Sequence, residues 1–289
     1  MSSPEDRPLA VRVEGLVKAY GAARAVDGLS LAVRRGECLG LLGPNGAGKT
    51  TTIRILSTLA APTSGRVEVL GLDPGRDAAR LRARIGVVPQ EIALYEGLTG
   101  AENLEFFGRL HGLSGARLAE RVAAALGDAG LADRAGDRVA VYSGGMQRRL
   151  NLVAALLHEP DLVFLDEPTV GIDPQSRHHV FALVDRLRAR GATIVYTTHL
   201  LGEVERLCDR IVILDHGRVI AEGTLDELRR RASGVSGRGA RLDAGARVGE
   251  ALGVLRAAGI EVRVEEDLPG LEDVFLTLTG RALRDEDGA

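Results

Sequence analysis

Residues 41–56 read LLGPNGAGKTTTIRIL, an apolar run that tightens into glycines and continues as an apolar-patterned helix. The loop Gly43, Pro44, Asn45, Gly46, Ala47, Gly48, Lys49, Thr50 and Thr51 has the spacing G-x-x-x-x-G-K-[ST], with a strand before it and a helix after it. Unpaired N–H groups at a helix start form a nest for an anion, and glycines let the backbone curl around it. Lys49 would balance the charge of β- and γ-phosphates, and the Thr50 hydroxyl would reach a divalent cation. The pattern is that of a phosphate cradle.

A second chemical feature is LVFLDEP (162–168), a buried-strand pattern that ends in Asp166 and Glu167. Two carboxylates at the end of an apolar run are costly unless they meet a cation or donors. Beside a phosphate loop, Asp166 would hold Mg²⁺ through water and Glu167 would polarise an attacking water. A third is VYSGGMQRRLNLVAALL (141–157), where Ser143 can cap a helix whose apolar positions are Met146, Leu150, Val153 and Leu157. Gly144 and Gly145 leave its first amides open to close approach, which makes a second candidate anion site, although a capped helix start is more often purely structural.

These groups need a frame. CLGLLG (38–43), DLVFLD (161–166) and TIVYTT (193–198) are near-continuous apolar runs, as expected of strands covered on both faces. Helical patterns follow at 50–59, 175–190 and 201–209, which predicts a three-layer α/β core. Residues 9–14, 26–33 and 66–70 have the shorter, partly alternating patterns of antiparallel strands. From about 95 to 158 helix patterns dominate and predict a helical subdomain, so that one large domain spans 9–228. The stretch RRRASGVSGRGA (229–240) predicts a linker, and 241–284 a small α+β C-terminal domain.

Composition narrows the function. Aromatic residues make up 3% with no Trp, and the net charge is −3, which together speak against a nucleic-acid platform. Cys38 and Cys208 lack any metal-ligand spacing and read as core thiols of a reducing compartment. No window approaches about 18 apolar residues, and MSSPEDRPLA is acidic where a signal peptide would be basic. A cytosolic chain is expected, with any membrane role exerted through another protein.

Phosphate loop, carboxylate pair and SGG, in that order around a helical insertion, resemble the ATP-binding subunits of ABC transporters across about 9–225. Tyr20 ahead of the phosphate loop, Gln90 in VVPQE, Asp173 in VGIDP and His199 in TTHL complete the likeness. Two departures are small: YSGGM replaces the commoner signature with Leu first and Gln fifth, and Gly-Ile precedes Asp173 in place of Ala-Leu. The resemblance implies ATP and Mg²⁺ as cofactors. It implies that Tyr20 stacks on adenine, and that Gln90 joins Thr50 and Asp166 around the metal and senses the water. Lys49, Gln90, Glu167 and His199 would form the catalytic set, His199 reaching the γ-phosphate. Ser143, Gly144 and Gly145 would close on ATP held by a second copy, with Asp173 at that junction, so a homodimer with two composite sites is implied.

LEDVFLTLTGR (271–281), LYEGLTGAENL and YSGGMQRRL further resemble the drug- and multidrug-exporter group that includes daunorubicin-type resistance subunits. A peripheral position on the cytoplasmic face of the cell membrane and a separate permease partner follow from that likeness. The alternatives are a soluble ABC-type ATPase of DNA repair or translation, an importer ATPase, or a non-catalytic cassette. The intact Lys49, Asp166, Glu167 and His199 oppose the last.

Overall fold

The computed structural model describes residues 7–232, 254–255 and 270–279. Its first element pair is the hairpin β1 (Leu9–Tyr20) and β2 (Ala23–Arg34), joined by β4 (Ser64–Val69) into an antiparallel sheet of order β2-β1-β4. Val11, Val13, Leu29, Leu31 and Val33 alternate inward, the period-2 pattern that half-buries such a sheet.

A second sheet has the order β5-β6-β7-β3-β8-β9, built from β3 (Cys38–Leu42), β5 (Ile85–Val88), β6 (Leu162–Asp166), β7 (Thr193–Thr198), β8 (Arg210–Asp215) and β9 (Arg218–Gly223). All neighbours are parallel except β9, which returns antiparallel on β8. Every residue of β3, β6 and β7 is buried. Along β6, Val163 and Leu165 enter the core on one face while Leu162 and Phe164 enter the core on the other. Parallel strands covered on both faces explain why these runs lack polar alternation.

The helices α1 (Lys49–Leu56), α6 (Pro174–Ala189) and α7 (Leu201–Leu207) follow β3, β6 and β7, and the short α2 (Ala78–Arg82) precedes β5. The strand ends that precede α1, α6 and α7 therefore deliver the phosphate loop, the carboxylate pair and His199 to one edge of the sheet, the usual ligand edge of such folds. Between β5 and β6 lie α3 (Gly100–Leu110), α4 (Gly115–Asp128) and α5 (Gly144–Ala154). Helix α3 starts at a capping box in which Thr99 and Glu102 satisfy each other's backbone amides.

Helix α8 (Leu225–Ala232) runs through the first four residues of the expected linker, while 233–240 lie outside the described residues. Of the expected C-terminal domain, the structure describes chiefly α9 (Leu271–Thr279). Its Leu271, Val274 and Phe275 share one apolar cluster with Leu42, Val204, Ile211, Ile213 and Leu228. This segment is thus fastened to the six-stranded sheet.

Candidate functional site

The phosphate loop is shaped by what stands against it. Gly48 has φ 101°, and a Cβ there would lie 2.5 Å from the Ala25 carbonyl, so only glycine fits. Gly217, in the β8–β9 turn, donates to the Ala47 carbonyl at 3.1 Å and accepts from the Asp27 amide at 2.9 Å. The loop is therefore pinned between β2 and that turn. Lys49 is buried and folds back, its Nζ donating to Gly43 O at 2.6 Å and Pro44 O at 3.1 Å. Asn45, Gly46 and Thr50 are exposed, and Thr51 is half-buried.

Strand β6 ends beside it. Asp166 accepts from Thr197 Oγ1 at 2.7 Å and from Thr50 Oγ1 at 3.2 Å. Glu167 has φ 46°, a left-handed conformation that costs a non-glycine residue about 1–3 kcal/mol. Its amide donates to both the carbonyl and the Oγ1 of Thr197, which holds that turn. Its carboxylate lies 3.0 Å from Lys49 Nζ, and its other oxygen lies 3.4 Å from His199 Nδ1, within charge range but not aligned as a hydrogen bond.

These surroundings push two adjacent carboxyls in opposite directions. Burial raises Asp166 above its ordinary value, and the Thr197 and Thr50 hydroxyls only partly offset it. Burial also pushes Glu167 upward, but His199 and Lys49 outweigh it and pull the carboxyl down to about 2. The Glu167 contact in turn raises His199, against the effect of burial. A pair separated in this way has one member suited to stay ionised and one that calls for a cation.

Among the described residues, no group of three or more His, Cys, Asp or Glu side chains could hold a metal ion. The hard oxygens of Thr50 and Asp166 would suit a cation whose remaining ligands are water and phosphate oxygens.

The structure therefore brings Lys49, Thr50, Asp166, Glu167 and His199 into one cluster. Tyr20 stands half-exposed at the β1 end, in the hairpin whose Ala25 abuts Gly48, with Lys18 Nζ 4.8 Å from its ring centre. The Gln90 side chain is exposed and forms no hydrogen bond to Thr50 or Asp166. Ser143 caps α5 by accepting from the Met146 amide at 3.2 Å, and Gly144 is exposed. A Cβ on Gly145 would lie 2.0 Å from Ser176 Oγ, so this glycine serves the approach of α6. Asp173 caps α6 through the Ser176 amide at 2.9 Å, and the Ser176 side chain together with that amide lowers its carboxyl. No hydrogen bond or ion pair joins Ser143–Gly145 to the phosphate loop among the described residues.

Three supporting residues escape the sequence reading. Thr197 ties Asp166 to the Glu167 turn, and a hydroxyl at the end of an apolar strand is its only signal. Buried Glu203 gathers the hydroxyls of Thr169, Tyr196 and Thr198. Arg148 binds the carbonyls of Pro89, Gln90, Glu167 and Pro168. Nothing in helical periodicity marks the last two.

The family described as "ABC transporter" matches residues 26–170. The linearmycin resistance ATP-binding protein of Bacillus subtilis is 49% identical over 78% of this chain and 72% of its own length. A daunorubicin resistance ATP-binding protein of Streptomyces coeruleorubidus is 47% identical over 90% and 82%. The Nod factor export ATP-binding protein I of Ralstonia nicotianae is 41% identical over 94% of each. Among solved structures, an ATP-binding subunit of an ABC transporter superposes with TM-score 0.72 at 36% identity, covering 79% of this chain and 95% of that one. A dimeric ATP-binding cassette in a post-hydrolysis state with ADP and Pi gives TM-score 0.69 at 28% identity, covering 74% and 98%.

Proposed function

Since the chain belongs to the ABC transporter family, as an ATP-hydrolysing cassette of the drug-exporter type, we propose that it powers export of a hydrophobic compound, drug-like or lipid, through a separate membrane permease. The carrying observation is the cluster in which Glu167 stands between Lys49 and His199 beside the Thr50–Asp166 pair. Lys49 exchanges its loop carbonyls and Glu167 for the phosphates when ATP enters. Glu167, ionised and held by its backbone turn, orients the attacking water. His199 keeps that carboxylate in place and reaches toward the γ-phosphate, and Gln90 completes the shell from its loop.

Bound Mg²⁺, held by Thr50 and Asp166 with Gln90 near, would neutralise the phosphate charge. Tyr20 offers its ring to adenine. Gly144, exposed at the capped α5 start, is suited to meet the γ-phosphate of a second subunit, so the working unit is a dimer. A homodimer is the simplest form.

The named relatives are resistance and export proteins, which favours export over the import and DNA-repair alternatives. Among the described residues no helix is long and apolar enough to cross a membrane, so work at the cytoplasmic membrane face requires a docking surface. Ile92 and Tyr95 are exposed at 39% and 51%, and so is Val141 at 65%, next in sequence to Ala140, whose amide donates to Glu96 O at 3.1 Å, while Leu94 turns partly into the core. Buried Asn103 bonds both the amide and the carbonyl of Tyr95, and Asn151 holds the Ala93 amide, so the loop presents these side chains from a fixed backbone. An ordered apolar patch of this kind is suited to a partner.

The test compares Lys49→Ala with Glu167→Gln. Calorimetry should show ATP affinity reduced by about tenfold or more for the first and retained for the second. Glu167→Gln should dimerise with ATP–Mg²⁺ and turn over about 100-fold or more slowly. Parental turnover, or a monomer with ATP bound, would contradict the role of Glu167. Equal affinity of Lys49→Ala and the parent would remove the phosphate role of Lys49.

A further inference from the structure

Arg148 is 2% exposed, on α5, one turn beyond the Ser143–Gly145 start. Its guanidinium donates from Nε to Pro168 O at 2.7 Å and from Nη2 to Glu167 O at 2.6 Å. From Nη1 it donates to Pro89 O at 2.9 Å and Gln90 O at 2.8 Å. A buried charge whose hydrogen bonds all go to neutral carbonyls is an expensive packing element, and an apolar side chain would join α5 to the sheet at lower cost. What an apolar side chain cannot do is bridge two loops. One pair of carbonyls belongs to the β5–α3 loop and the other to the turn after β6.

We propose that Arg148 is a positioning residue that locks the Gln90 loop to the Glu167 turn, so that both move as one body with α5. The inference rests on the roles proposed above for Gln90 and Glu167. Its geometry has direction. The Gln90 loop runs on into Ile92 and Tyr95, and α5 begins at the signature glycines. A displacement at either place therefore reaches the Glu167 backbone through one planar fork. Lysine could not reproduce this, because a single ammonium cannot span carbonyls on both loops in the fork's fixed geometry. The left-handed turn at Glu167 adds the reason a clamp is needed, since an unfavourable backbone persists only where its surroundings over-determine it.

The experiment uses the full chain with Arg148→Lys, Arg148→Gln, Gln90→Ala and the double variant Arg148→Lys/Gln90→Ala. Steady-state ATPase rates are normalised to folded protein, with melting temperatures measured in parallel. The expected result is kcat lower by about tenfold or more in both Arg148 variants, with KM for ATP within about twofold of the parent. Gln90→Ala should slow the parent but cost little more in the Arg148→Lys background, because an unanchored loop no longer presents that side chain. A melting-temperature drop with kcat unchanged would reduce Arg148 to a packing role. An equal cost of Gln90→Ala in both backgrounds would break the proposed link while leaving Gln90 functional. A parent unaffected by Gln90→Ala would instead overturn the role of Gln90 and this inference with it.

Discussion

At the scale of single residues, the site is governed by how one carboxylate is shared. Glu167 is the salt-bridge partner of Lys49 and the neighbour of His199, so its charge serves the fold before it serves a nucleotide. Its carboxyl is held near 2 in the folded chain against 4.5 ordinarily, so it stabilises the fold above about pH 4.5 and that contribution is lost as pH falls toward 2. His199 is raised, so its contribution is present below 6.5 and is lost as pH rises through its raised value. Urea unfolding of the nucleotide-free parent and of Glu167→Gln at about pH 5 and about pH 3 should show the steeper acid loss in the parent. The raised Asp166 acts in the opposite sense, but it is present in both proteins. Parallel acid profiles would mean that the Lys49–Glu167 contact carries no net stability.

Between elements, the decisive contact is the one between α5 and the start of α6. Gly145 and Gly144 are neighbours in sequence with different duties. A methyl on Gly145 would strike Ser176 Oγ and lie 2.8 Å from Asp173 Oδ2, whereas one on Gly144 meets nothing within 4 Å. Gly145→Ala is therefore expected to destabilise by about 1–3 kcal/mol through overpacking. Gly144→Ala should leave the melting temperature near that of the parent while lowering ATP-dependent dimerisation, because its free space is where the second subunit's phosphate would come. Light scattering with ATP–Mg²⁺ and thermal unfolding separate the two. An unaltered dimer in folded Gly144→Ala would place the cross-subunit contact elsewhere.

For the molecule as a whole, α9 is packed on the sheet that carries the phosphate loop. Phe275 is 2% exposed in the cluster that also contains Leu42, the last residue of β3. Phe275→Ala should cost about 3–5 kcal/mol and lower the melting temperature of the main transition. An unchanged main transition would mean that α9 folds and unfolds apart from the cassette. In the loop after β5, Ile92→Ala with Tyr95→Ala should reduce co-purification with the membrane partner. The isolated subunit should lose only about 1 kcal/mol, since Tyr95 forfeits mainly its edge contact with Phe106 at 4.8 Å. Full recovery of the complex would move the docking surface away from this loop.

Local pattern sufficed for the strand-loop-helix units, because a buried parallel strand, a glycine loop and a helix start are each written in contiguous residues. The spacing of Gly43, Gly48, Lys49 and Thr50, the Asp166–Glu167 end of β6 and the Ser143 cap are therefore legible without coordinates. The family resemblance then drew Tyr20, Gln90, Asp173 and His199 to the same purpose. Tertiary structure alone decided which partners those groups meet. That Lys49 rests on Glu167, that Gly145 makes room for Ser176, and that Arg148 and Thr197 brace the carboxylate turn depend on contacts between residues from 19 to 118 positions apart. Such contacts carry no periodic signature, because they arise from the meeting of elements and not from the repeat within any one of them.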